Sequence, residues 1–165
     1  MDVTSKLKEI IKESHNLVVF TGAGISVPSG IPDFRSAHGI YNEKFNATYR
    51  PEEIISHSFF VRHTDEFYQF YKSKMMYLDA KPNLAHLFFA QLEEKSNKNI
   101  SVVTQNIDGL HQQAGNKKVY ELHGSIYRNY CMNCRKFYDA KYVKNFYHDT
   151  PTCQDCGGII KPDVV

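Results

Sequence analysis

Asn16-Leu17-Val18-Val19-Phe20-Thr21-Gly22-Ala23-Gly24-Ile25-Ser26 is the stretch on which the reading of the fold turns. An apolar run of strand length, without alternation, suits a strand buried on both faces of a parallel sheet. It leads directly into a Gly-rich turn whose backbone N–H groups stand at close approach, with a helix start behind them. That order is what a phosphate-binding loop needs. Alone the turn is ambiguous, because a dinucleotide fingerprint requires Gly or Ala at its last position, where Val27 stands. A tight structural turn accounts for it as well.

Upstream, residues 4–14 read as an amphipathic helix, capped by Thr4 or Ser5, with Leu7, Ile10 and Ile11 on one stripe. Downstream, residues 27–50 read as a long ordered loop with short helical turns, a class of segment that is more often functional than idle. Residues 51–95 are mainly helical, aromatic-rich over 66–71, with Pro82 in the first turn of a further helix. Residues 100–104 and 119–122 read as two more strands. Strands separated by helical stretches predict an α/β fold.

Three polar clusters fall where such a fold places ligands, beyond the carboxyl ends of strands or in the connecting loop. Gly30-Ile31-Pro32-Asp33-Phe34-Arg35-Ser36 sets an acid, an aromatic ring and a guanidinium side by side. Arg35 suits a phosphate and Phe34 a flat ring, and an internal Asp33–Arg35 ion pair is the plainer alternative. Thr104-Gln105-Asn106-Ile107-Asp108-Gly109 follows the second strand, with a helix cap by Asp108 as its plainer role. His123-Gly124 closes the third apolar stretch, where an imidazole suits a general base.

Cys131-Met132-Asn133-Cys134 and Cys153-Gln154-Asp155-Cys156 form two C-x2-C knuckles separated by 18 residues. That spacing suits one tetrahedral zinc ion. Four thiolates leave no open position, so the expected metal is structural. Free thiols or two redox motifs are the alternative.

The composition frames these motifs. Among 165 residues, 42% are hydrophobic and 23% charged, within the globular range. Twenty Lys and Arg against 18 Asp and Glu leave a net charge of +2, too little for a dedicated nucleic-acid binder. No apolar run approaches the length of a membrane span, and the first residues lack a signal-peptide core. A cytoplasmic protein is therefore expected, in which four Cys point to a metal before disulfides.

Taken together, Gly22-Ala23-Gly24-Ile25-Ser26, Gly30-Ile31-Pro32-Asp33-Phe34-Arg35, Lys81-Pro82-Asn83-Leu84-Ala85-His86, Thr104-Gln105-Asn106-Ile107-Asp108, His123-Gly124 and the two knuckles resemble the sirtuins, NAD-dependent protein-lysine deacylases, in order along nearly the whole chain. The resemblance implies the first part of a Rossmann-type NAD-binding domain over residues 1–125 with a helical insertion at about 45–80. It further implies a zinc-ribbon module over 126–160 and a return to the sheet at 161–165. NAD would be a consumed cosubstrate and Zn2+ structural. Gly22, Ala23 and Gly24 would approach the phosphates, and Asp33, Phe34 and Arg35 would belong to the cofactor loop. Gln105, Asn106, Ile107 and Asp108 would form the nicotinamide and ribose pocket, with Asn106 and His123 catalytic and His123 the general base. The partner would be an acyl-lysine protein or peptide, with no membrane and no specific nucleic acid.

Two departures shape the expectation. Members that remove acidic acyl groups carry Tyr-x-x-Arg, whereas Tyr68-Gln69-Phe70-Tyr71 lacks the Arg, so an uncharged acyl group such as acetyl is expected. Family members also continue past Lys161-Pro162-Asp163-Val164-Val165 into strands that hold the adenosine half of NAD. A truncated family member with an incomplete sheet and an exposed apolar edge is therefore expected here. Protein ADP-ribosylation on the same scaffold, and a non-enzymatic zinc-ribbon binding module, remain as alternatives.

Overall fold

Two three-stranded sheets divide the chain and bury their side chains very differently. The structure, a computed structural model, describes residues 2–37, 39–42 and 49–164. The first sheet has the order β1 (Asn16–Thr21), β2 (Asn99–Thr104), β3 (Val119–Glu121), with all strands parallel. Thr21 lies opposite Thr104 and Thr104 opposite Glu121, so all three strands end at one level. The segments that follow them emerge side by side.

The expected parallel sheet is present, but β1 is not buried on both faces. Val18 and Phe20 are 70% and 62% exposed. They share one face of an edge strand, and no described element covers it. β2, at the centre, buries Ile100 and Val102 completely. The expected first helix is α1 (Val3–Glu13), yet Leu7 and Ile10 of its apolar stripe are exposed and none of its residues is buried. Its end is held by Lys98, whose Nζ donates to the carbonyls of Lys12 (2.8 Å) and Ser14 (2.6 Å). A cation there satisfies carbonyls that the helix itself leaves unpaired.

Within the expected 27–50 loop, residue 38 and residues 43–48 lie outside the described residues. What is described holds two short 3₁₀ segments, Ala23–Ser29 and Ile40–Asn42. The Gly-rich turn thus opens into a 3₁₀ coil containing Pro28, not into an α-helix. Four helices follow: α2 (Pro51–Ile54), α3 (His57–Arg62), α4 (Thr64–Lys74) and α5 (Leu84–Lys95). Pro82 precedes α5 instead of starting it. Asn83 is the cap, its side chain accepting the Ala85 N–H at 2.9 Å. The short α6 (Leu110–Ala114) links β2 to β3.

The second sheet is antiparallel, in the order β5 (Phe137–Tyr138), β4 (Gly124–Cys131), β6 (Ile160–Val164), with α7 (Ala140–Asn145) against β4. It shares one core with α2–α4: Ile54, Phe60, Phe67 and Phe70 pack with Ile126, Val143 and Ile160. Each such side chain contributes about 1.5–3 kcal/mol of burial. The Tyr68 hydroxyl donates to the Ile160 carbonyl across that core. No buried residue of β1, β2 or β3 belongs to it. Among the described residues, no helix is long and apolar enough to cross a membrane.

Candidate active site

Where the parallel strands end, a cavity of about 430 Å³ opens between the first sheet, the 31–41 loop and helix α4. Of the residues that the sequence pointed to, Ala23, Gly24, Asp33, Phe34 and Arg35 line one side. Gln105, Asn106, Ile107, Asp108 and His123 line the other. Gly22 lies behind the wall, where its carbonyl accepts the Asn106 Nδ2–H at 3.1 Å. A Cβ on Gly24 would meet nothing within 4 Å, so its backbone is open to a ligand.

The loop is folded back on itself by its own backbone. Ile40 N–H donates to the Asp33 carbonyl at 2.8 Å and Tyr41 N–H to that of Phe34 at 2.9 Å. This clasp brings Gly39 so near that a Cβ there would lie 2.7 Å from the Phe34 carbonyl carbon. The Asp33 carboxylate accepts the Ser36 N–H at 2.9 Å, which holds its pKa below the usual carboxylate value. Asp33 therefore braces the loop by a turn and not by the ion pair to Arg35 considered from sequence. Phe34 is half-buried against Tyr41, 5.2 Å between ring centroids, and Arg35 is exposed.

The opposite wall is a buried polar web. Ser26 Oγ donates to Asp108 Oδ2 at 2.6 Å and accepts from Asn106 Nδ2 at 3.1 Å. Asp108 Oδ1 also accepts the Leu110 N–H at 2.9 Å, so capping α6 and lining the cavity coexist. His123 is exposed to the cavity with Nδ1 3.0 Å from the Gln105 carbonyl. A carbonyl only accepts, so Nδ1 carries the proton and Nε2 keeps a free lone pair, the arrangement of a general base. Gly124, next in sequence, has φ 81° and passes so close to β6 that a Cβ would lie 1.8 Å from the Asp163 carbonyl oxygen. Only glycine lets the chain turn there and present His123.

Sequence reading did not assign Ser26 its part in the web. It also missed the cavity wall given by Ile55, Phe67, Tyr71 and Met75. Of the Tyr68–Tyr71 stretch, Tyr71 lines the cavity, while Tyr68 is spent in the core. Asn83 has a role beyond its sequence motif: its Nδ2 donates to the Ile25 carbonyl (2.7 Å) and Ser29 Oγ (2.9 Å), bolting α5 to the Gly-rich turn. A helix cap with a free amide was the available signal.

Cys131, Cys134, Cys153 and Cys156 come together across the 18 residues that separate the two knuckles: their sulfurs all lie within 4.8 Å of one another. Zinc–sulfur bonds of about 2.3 Å put tetrahedral sulfurs about 3.8 Å apart. The Cys131–Cys156 and Cys134–Cys153 pairs stand at 3.5 and 3.6 Å, so the four fit such an ion. The Tyr138 hydroxyl donates to Cys153 Sγ at 3.1 Å and holds that thiol down to about 6. Cys134 receives the Lys136 backbone N–H, which pulls it down, but the hydrogen bonds to its fellow thiols push it up to about 12. Without a cation the four cannot all be thiolates.

Comparison with known proteins agrees with this geometry. Residues 22–165 match the Sir2 family. A protein of Clostridium perfringens (strain 13 / Type A) named NAD-dependent protein deacetylase is 58% identical over 99% of this chain and 66% of its own length. One of the same name from Clostridium tetani is 57% identical over the whole chain and 66% of its own length. This chain thus spans just under two thirds of the length of these relatives. A solved Sir2 structure with a deacetylated p53 peptide and 3′-O-acetyl ADP ribose superposes with a TM-score of 0.88 at 44% identity, covering 98% of this chain and 64% of that one. A second, a Sir2 with a p53 peptide and NAD+, gives 0.81 at 44% identity over 100% and 64%. By the extent of the family match and the identity to these proteins, the chain belongs to the Sir2 family.

Proposed function

We propose that this protein is an NAD-dependent protein-lysine deacetylase, moving the acyl group of an acyl-lysine side chain to ADP-ribose and releasing nicotinamide. The observation that carries the reading is the convergence, on one cavity, of a free imidazole nitrogen at His123, the Asn106–Asp108–Ser26 web and the open backbone at Gly24. The names of the relatives support it. NAD enters as substrate. Its ribose anomeric carbon accepts the acyl oxygen as nicotinamide leaves, and water completes the transfer to give free lysine and O-acyl-ADP-ribose.

The chain's own groups have distinct tasks in this scheme. Gly24 and Arg35 would hold phosphates, the first through its backbone and the second through a guanidinium fork. Asn106 and Asp108, fixed by Ser26, would orient the ribose and nicotinamide, with Gln105 and Ile107 beside them. His123 would take the ribose hydroxyl proton on Nε2. Phe34, carried on the clasped loop, would keep water from the reacting carbon. The Tyr68–Tyr71 stretch lacks the arginine of acidic-acyl members, which supports an uncharged acyl group, with Lys74 the cation that lines the cavity beside Tyr71 and Met75. The four cysteines would hold one structural zinc ion.

The test is mass spectrometry of an acetyl-lysine peptide with the 165-residue chain, with and without NAD, beside His123→Ala. The expected result is acetyl loss and nicotinamide release that require both NAD and His123, falling at least about 100-fold in the variant. A folded, zinc-loaded chain that releases neither would overturn the reading for this chain. Transfer of ADP-ribose to the peptide would put protein ADP-ribosylation in its place.

A further inference from the structure

Behind the wall formed by Asn106 lies a polar line that the proposed chemistry does not use. The Asn106 backbone N–H donates to Thr104 Oγ1 at 3.0 Å. Thr104 Oγ1 accepts from Thr21 Oγ1 at 2.8 Å, and Thr21 Oγ1 is 3.0 Å from His111 Nε2. Thr21, Thr104, Asn106 and His111 are all buried, His111 at 1% exposure. They come from the end of β1, the end of β2, the loop after it and α6. The line therefore ties the end of β1 and α6 to the loop after β2, whose Asn106 lines the cavity.

The donor directions are fixed by counting protons. Thr21 spends its hydroxyl proton on Thr104, so it must accept from His111, whose proton then sits on Nε2. Nδ1 of His111 is left with a lone pair that no hydrogen bond reaches among the described residues, with the Asn116 side chain nearby. His86 packs on the same ring, 4.8 Å between centroids. Its Nδ1 accepts the Asn83 N–H at 3.4 Å, which leaves its proton on Nε2, likewise buried and without a partner among the described residues. A donor on one ring and an acceptor on the next are complementary, and burial holds both histidines neutral by lowering their pKa values.

We propose that His111 is a positioning residue for Asn106: acting through the hydroxyls of Thr21 and Thr104, it fixes the backbone amide of Asn106 and so the polar wall on which nicotinamide and ribose are read. His111 touches no ligand itself. The inference rests on the deacetylase reading for its catalytic meaning and on the hydrogen-bond line for its structural content.

Hydrogen exchange of the Asn106 amide, followed by NMR on the 165-residue chain, tests it without any substrate. In His111→Phe, which keeps a ring but no donor, Asn106 exchange should quicken about fivefold to tenfold, while amides around the four cysteines hold. His111→Gln, which can still donate to Thr21, should restore most of the protection. Thr21→Val breaks the line at its middle and should match His111→Phe, and the double variant should add nothing further. In turnover, His111→Phe should lower kcat about tenfold with the KM for peptide unchanged. Unaltered Asn106 exchange in folded His111→Phe or Thr21→Val, or full additivity in the double variant, would overturn the proposal. Absence of turnover in the unsubstituted chain would count against the deacetylase reading alone, since the exchange result stands without it.

Discussion

Phe20 and Phe60 are the same side chain under opposite conditions. Phe20, on the edge strand of the parallel sheet, is 62% exposed, while Phe60, on α3, is 2% exposed and locked against Phe67 and Tyr68 beneath the Lys161 ammonium of β6. The sheet to which Phe20 belongs carries the candidate chemistry at its strand ends yet gives no buried residue to the principal core. The unit of α2–α4 and the second sheet, to which Phe60 packs, carries that core and the four cysteines. Most of the candidate chemistry thus sits on the parallel sheet and its loops, and the principal core on the other unit, the two meeting where Phe67 and Tyr71 line the cavity. They are joined by Arg128, whose guanidinium bonds Glu121 of β3 at 2.6 Å and Asp163 of β6 at 2.8 Å.

The largest contrast should come from the cysteines. Cys153→Ser, or a strong zinc chelator, should abolish stoichiometric zinc and melt residues 124–164, because structural zinc sites couple about 10 kcal/mol or more of binding to folding. Elemental analysis with NMR dispersion reads both at once. The two-part description breaks if the amides of β1–β3 collapse at the same chelator concentration. The phenylalanines sharpen it next. Phe60→Ala should cost about 3–5 kcal/mol in urea denaturation, whereas Phe20→Ala should stay within about 0.5 kcal/mol. Equal losses would mean that β1 is covered in solution.

The smallest effect concerns acid. Burial lowers the pKa of both His86 and His111 below the ordinary 6.5. On acidification the unfolded chain therefore binds protons that the folded chain still refuses, so stability, full above about pH 7, falls as pH drops through 6.5. His111→Gln should flatten that fall in urea midpoints measured against pH. An unchanged slope would place the acid sensitivity in groups other than His111.

Much of the site was legible because its residues lie in short consecutive runs, each attached to one strand end or loop. Gln105-Asn106-Ile107-Asp108 needed only the end of β2 to be found, and the two knuckles needed only their spacing. What escaped was whatever pairs across distance. Ser26 reaches Asp108 over 82 residues and Thr21 reaches His111 over 90, and neither spacing has a local signature. Pro82 was placed inside the helix that Asn83 caps, an error of two residues at a boundary that cap geometry alone settles.

Local chemistry in the sequence was enough to set the α/β alternation, the turn after β1, the glycine that opens β4 and the four thiols, since each depends on neighbours a few residues away. Only the tertiary structure decided that β1 stands at an edge with Val18 and Phe20 bare, and that the aromatic helices share their core with the cysteine-bearing sheet. It alone also decided that His111 and His86 lie buried behind Asn106. An apolar run looks the same whether or not another element covers it, because burial belongs to what packs against a residue and not to the residue.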